Sequence, residues 1–273
     1  MYIHHIIILA IVQGITEFLP VSSSGHLYLT HIILGDGTAV NSWGAGLTID
    51  VAMHVGTLFS VLIYFRKDLS KIFAAFIKAD GQKNSSRDMK LGIQVLIASL
   101  PVIAMGLTLE ILEPQWLRSM TVIAWTTLLF GIVLWIADRY FSTEKYLDKM
   151  NYAHAFWIGI AQMLALVPGV SRSGITMTAG RFLGFNRTDS ARFSLLLAIV
   201  AISGAGILRS WDLFKSGNLV LGLDSLTAAV LAFASGWVAI SLMMRWLSKA
   251  TFKPFAVYRI LLGIMLLVLG STG

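Results

Sequence analysis

Two stretches of this sequence combine groups that can do acid/base, nucleophilic and anion-binding chemistry. The first, QGITEFLPVSSSGH over residues 13–26, sets Glu17 and His26 beside three hydroxyls, Ser22, Ser23 and Ser24. Carboxylates and imidazoles carry protons, and a serine beside such a base is a potential nucleophile. Gln13 lies four residues before Glu17, on the same helix face, where it can orient the carboxylate or hydrogen-bond a ligand. The second stretch, PGVSRSGITMTAG over residues 168–180, offers Ser171, Arg172, Ser173 and Thr176. An arginine fork matches phosphate oxygens, and the N–H groups of a helix opening after Gly174 favour an anion. Gly25 and Gly174 let the backbone come close to a ligand. The second stretch therefore reads as a phosphate cradle and the first as the reactive groups. Together they hold the parts for hydrolytic phosphoryl transfer: nucleophile, base, acid and charge clamp. A buried structural ion pair is the alternative for Glu17 and Arg172, and serines are common in turns and N-caps by themselves.

The elements that must hold these groups are membrane helices. Of 273 residues, 56% are hydrophobic and 13% charged, with a mean hydropathy of +0.77. Soluble domains run at about 25% charged, so this chain cannot coat a water-facing surface, and a soluble enzyme or a disordered chain is excluded. The apolar runs are continuous, not alternating, which points to an all-α polytopic membrane protein and away from a β-barrel. Six stretches, about 47–65, 90–109, 119–137, 192–208, 222–244 and 255–271, are long and apolar enough to cross as transmembrane helices. Residues 3–34 are broken at Pro20 and Ser22–Ser24, and residues 154–185 at Pro168, Gly169 and Ser171–Gly174. Each half is too short to cross, so both regions are expected to be re-entrant helical hairpins, tolerated only within protein or beside a water-filled cavity. The N-terminal MYIHHIIILAIVQG lacks a basic n-region and is expected to be retained structure.

Aligned on Gly25 and Gly174, Ser22 matches Ser171, Ser23 matches Arg172 and Ser24 matches Ser173. Three spans separate the copies, an odd number, so an inverted-topology repeat is expected, with the broken helices meeting near the midplane. Its units are 1–137, a cytoplasmic linker at 138–153, and 154–273. Seventeen Lys and Arg fall in the 66–90 and 138–153 loops, after the second hairpin, and around the last loop, where Arg259 is counted; Arg118, Arg209 and Lys215 lie on the other side. By the positive-inside rule the seventeen are cytoplasmic, and both termini and the Glu17 hairpin face outward. The net charge of +7 is then a matter of topology and not of nucleic-acid binding. Without cysteine there is no disulfide and no thiolate metal site. Asp50 and His54 have a metal-compatible spacing, and with Glu17 are weak ligand candidates; pairing with each other or capping their helix is the simpler role.

These two stretches resemble the signature regions of the undecaprenyl-diphosphate phosphatase family, also called the bacitracin-resistance family. DVAMHVGTLFSVLIYFRKDL at 50–69 and FKPFAVYRI at 252–260 resemble it too, so the likeness covers nearly the whole chain. The resemblance implies a bacterial inner-membrane hydrolase that removes one phosphate from undecaprenyl diphosphate, the lipid carrier of cell-wall synthesis, with its site opening to the periplasmic face. Its partners would be the long-chain prenyl diphosphate and membrane lipids; oligomeric state is left open. The family's E/Q-x-x-x-E motif falls on Gln13 and Glu17, and the glutamine removes one of two carboxylates, which weakens a two-carboxylate metal model. A divalent cation, Mg or Ca, stays an open cofactor. The family's catalytic histidine falls on His26, its candidate serine nucleophile on Ser23 and its phosphate-binding arginine on Arg172, with serine or histidine attack left open. The phosphatidic-acid-phosphatase type, which also has SGH and SR motifs, needs a histidine after the SR motif, and the last one here is His154. A lipid-phosphate flippase is the rival class, since it would use the same cradle but needs no nucleophile.

Overall fold

The structure, a computed structural model, describes residues 2–35, 47–78, 83–112, 119–216 and 222–271. Within them α1 (Ile3–Phe18) ends because Pro20 biases Leu19 to extended backbone, and α2 (Ser23–Ile33) starts afresh after the turn. The same break recurs before Pro168: α7 (Tyr152–Met163) tightens into a 3₁₀ turn at Leu164–Leu166, Val167 is extended, and α8 (Arg172–Phe182) follows. Between and after these lie α3 (Leu47–Tyr64), α4 (Arg66–Lys78), α5 (Lys83–Leu112), α6 (Met120–Tyr140), α9 (Arg187–Ser216), α10 (Leu223–Leu247) and α11 (Lys253–Ser271).

Among the described residues five helices, α5, α6, α9, α10 and α11, are long and apolar enough to cross a membrane. The stretch 47–65 forms α3, which meets that test only together with α4, and the two are bent by 75°. Within 66–90, residues 66–78 and 83–90 are thus helical and not loop. Leu69, Ile72 and Phe76 recur at helical spacing between charged residues, so the segment folds as an amphipathic helix laid against α5. Large apolar side chains such as Leu100, Leu242 and Leu261 are more than half exposed, the surface of a protein solvated by lipid. The chain is an all-α, multi-pass membrane protein.

Helix neighbours occur in matched pairs. α1 packs on α10 as α7 packs on α5, α3 on α10 as α9 on α5, while α6 lies against α11 and α3 against α9. Exchanging α1 with α7, α3 with α9, α5 with α10 and α6 with α11 leaves these neighbour relations unchanged. The largest apolar core joins Phe18 at the end of α1 to Leu134, Met177, Phe185 and Phe193. Below it, Asp138 at the end of α6 accepts from Arg181 at 3.4 Å, from Arg187 at 2.6 Å and from the Phe252 N–H at 2.9 Å. Arg181 also donates to the carbonyls of Phe141, Ser142 and Phe185. This cluster ties α6 to α8, α9 and the start of α11.

Candidate active site

Two serines hold the turns in the same unusual backbone conformation. Ser22 has φ 75° and ψ 96°, and Ser171 has φ 70° and ψ 114°; among the described residues they are the only non-glycine positions with positive φ. Such strain persists where the surroundings over-determine it. Here each hydroxyl caps the helix that follows, accepting from the Gly25 N–H at 3.4 Å and the Gly174 N–H at 3.1 Å. Each also lies 3.2 Å from the serine two residues on, Ser24 or Ser173. Those second hydroxyls stitch the turns together: Ser24 accepts from the Gly169 N–H at 3.1 Å, and Ser173 donates to the Leu19 carbonyl at 2.9 Å.

Four of the five turn serines are therefore engaged in the backbone, and the fifth differs. Ser23 donates to Glu17 Oε2 at 3.3 Å, and the same oxygen accepts from Gln13 Nε2 at 3.0 Å. Arg172 Nη2 reaches Glu17 Oε1 at 3.2 Å, with both side chains only about an eighth exposed (13% and 12%). Arg172 also lies 3.5 Å from the carbonyl oxygens of Glu17 and Ser194. The structure thus brings Gln13, Glu17, Ser23 and Arg172 into one contact group across the two turns. A hydroxyl, a carboxylate acceptor and a guanidinium so placed can activate an oxygen nucleophile next to a phosphate-binding cation.

Other sequence-selected residues lie elsewhere. The His26 ring meets the Ser22 carbonyl and the Tyr258 hydroxyl, not Glu17 or Arg172. Thr176 is buried and donates to the Arg172 carbonyl and the Ser194 hydroxyl, so it braces α8 against α9. Gly25 is buried with only ordinary contacts around its missing side chain, and its N–H is taken by the Ser22 cap. His54 Nδ1 lies 2.8 Å from the Asp50 carbonyl oxygen, so the i,i+4 pair is joined through the main chain. Among the described residues no three His, Asp or Glu side chains gather to hold a metal. Glu17 is already surrounded by hydrogen-bond donors and a guanidinium, a donor set that does not fit a cation cage.

The family model for bacitracin resistance protein BacA matches residues 6–265. The chain belongs to the BacA family. It is 45% identical, over 98% of both chains, to undecaprenyl-diphosphatase 1 of Pseudoalteromonas translucida. It is 42% identical to the undecaprenyl-diphosphatases of Alteromonas mediterranea, over 98% of both chains, and of Teredinibacter turnerae, over 97% of this chain and 98% of that one.

The two turns have further contacts that motif reading missed. Thr126 donates to the Pro168 carbonyl at 2.6 Å and Thr127 to the Gly169 carbonyl at 3.3 Å, so α6 grips the second turn. Tyr258 and Arg259, neighbours on α11, reach one turn each: Tyr258 touches His26, and Arg259 donates to the carbonyls of Gly169 and Val170 at 2.9 and 2.8 Å. Arg259 therefore does not belong with the cations of the last loop, where the sequence alone counts it, because it is fully buried at the second turn. Its signal was available, since a charge within the apolar stretch 255–271 reads as functional.

Proposed function

We propose that this chain is an integral-membrane undecaprenyl-diphosphatase, hydrolysing undecaprenyl diphosphate to undecaprenyl phosphate and inorganic phosphate. That reaction returns the lipid carrier to cell-wall synthesis and underlies bacitracin resistance. The observation that carries the reading is the Ser23–Glu17–Arg172 contact at the junction of two strained turns. In this mechanism Ser23 Oγ attacks the terminal phosphorus while Glu17 takes its proton. The bond from that phosphorus to the bridging oxygen breaks, and prenyl monophosphate leaves. Water then cleaves the seryl phosphate, giving inorganic phosphate and restoring Ser23. Arg172 and the first N–H groups of α8 meet the charge on the phosphoryl oxygens. Gln13 holds the carboxylate in the rotamer that faces Ser23. His26, braced on the Ser22 carbonyl, supports the strained turn that presents Ser23.

The halves 1–137 and 154–273 are read as inverted repeats around this site, with hairpins entering from opposite faces. The matched strained serines and matched helix neighbours support that reading. The basic segments 66–90 and 138–153 support a cytoplasmic location for the Asp138 end and a periplasmic opening for the Glu17 turn. A lipid flippase would need no base-contacted hydroxyl.

Phosphate release by the purified protein in detergent, with a long-chain prenyl diphosphate, tests the proposal, because no transport can occur there. One phosphate and one prenyl monophosphate per turnover are expected. A protein that binds the lipid but releases no phosphate refutes it.

A further inference from the structure

Arg259 is 0% exposed, yet no carboxylate lies within ion-pair distance of it among the described residues. Only Nη2 is bonded, to the carbonyls of Gly169 and Val170; Nε and Nη1 have no hydrogen-bond partner. A buried charge left unpaired in this way is expensive, and a purely structural brace for two carbonyls could have been a neutral donor. Its placement is specific. A methyl group added to Gly174 would come within 2.5 Å of Arg259 Nη1, so the guanidinium lies directly against the first turn of α8. On its other side, a methyl on Gly131 would come within 2.9 Å of the Arg259 Cβ, so the stem is clamped against α6.

The charges at the turns do not cancel. Arg172 is balanced by Glu17, whereas Arg259 adds a positive charge behind a helix N-terminus that is itself partly positive. Because the guanidinium is covered by protein, it acts on a ligand through the turn it holds and through its field, which a low-dielectric setting strengthens.

We propose that Arg259 is a positioning residue for the diphosphate: it fixes the Gly169–Val170 backbone and supplies the uncompensated charge that an anionic headgroup at the α8 N-terminus neutralises. The inference rests on the reading of the site as a diphosphatase. It assigns two cations to the headgroup from two elements, Arg172 from the turn itself and Arg259 from α11.

The test uses the full-length protein in detergent, comparing wild type, Arg259→Lys and Arg259→Met. The readouts are KM and kcat for a long-chain prenyl diphosphate, inhibition by inorganic pyrophosphate, and thermal melting. Arg259→Met is expected to raise KM and weaken pyrophosphate inhibition by about tenfold or more, with melting within a few degrees of wild type. Arg259→Lys, which keeps the charge, is expected to recover part of both. A folded Arg259→Met with unchanged KM and pyrophosphate inhibition overturns the proposal. So does loss of folding in Arg259→Met, which would make the arginine a device of the fold. A wild type that releases no phosphate strikes the diphosphatase reading itself, whereas an active wild type beside an unaffected Arg259→Met strikes only this inference.

Discussion

His26 Nε2 lies 2.6 Å from the hydroxyl of Tyr258, and His26 Nδ1 lies 2.7 Å from the carbonyl oxygen of Ser22. A carbonyl can only accept, so Nδ1 carries the proton, and in the neutral ring Nε2 accepts from the tyrosine O–H. The basic nitrogen is thereby turned toward α11, and Glu17 is the carboxylate in contact with Ser23. Tyr258→Phe keeps the stacked ring, at 5.4 Å between centroids, and removes only the hydroxyl. It should fold normally and lose about tenfold in kcat. Carbethoxylation at His26, mapped by mass spectrometry, should become faster because Nε2 is uncovered. An unchanged modification rate would show that this hydrogen bond does not hold in solution.

Arg172 presents a planar fork to Glu17, and the same fork is the group that would meet phosphate. A lysine keeps the charge without the two-pronged geometry, so Arg172→Lys should lose most of the activity. Near-normal turnover would mean that charge alone suffices.

Glu17 receives Ser23 and Gln13 on one oxygen and Arg172 on the other. Glu17→Gln should therefore cost about a hundredfold or more in kcat. In the proposed mechanism Ser23 and Glu17 act as a unit, so Glu17→Gln combined with Ser23→Ala should be little worse than the poorer single variant. Fully additive losses would separate their roles.

Accessibility checks the side of the membrane. The chain has no cysteine, so Ser23→Cys introduces a single thiol. A membrane-impermeant thiol reagent should label it in intact, outer-permeabilised cells, and excess substrate should protect it. Labelling only after the inner membrane is opened would reverse the orientation.

Asp138 is the shared acceptor of Arg181, Arg187 and the Phe252 N–H, and Arg181 is completely buried. Asp138→Asn leaves that guanidinium without its counter-charge and should destabilise the fold by about 3 kcal/mol or more. Thermal melting reads this directly. A melting point equal to that of wild type would show that the carbonyls around Arg181 suffice.

Much of this architecture was legible because lipid imposes simple rules. The long apolar runs at 119–137 and 222–244 are helices, and the breaks at Pro20 and Pro168 fall where proline and serine place them. The contact of Gln13 with Glu17 follows from i,i+4 spacing alone. Long-range partners were not legible. Nothing in the spacing tells that Ser24 and Ser173 would bond the opposite turn's backbone while Ser23 keeps the carboxylate, because all are serines in similar turns. Tyr258 and Arg259 lie more than eighty residues from anything they touch at the turns. The amphipathic α4 was hidden by its charges, which read as a basic loop until the spacing of Leu69, Ile72 and Phe76 is taken with them.

The elbow after Tyr64 also has a mechanical consequence. Where α3 crosses the membrane, its 75° bend lets α4 lie near the membrane plane, with Phe73 and Ile77 about two-thirds exposed (69% and 68%) and Asp68 fastened to Arg192 of α9 at 2.6 Å. In that setting it would act as a flange. A flange resting at one headgroup layer registers the whole molecule by that surface, so a thicker or thinner bilayer changes the coverage at the opposite end first. The height of the two turns would then be gauged from a single leaflet, and the depth at which a lipid headgroup meets them would depend on membrane thickness as much as on the protein.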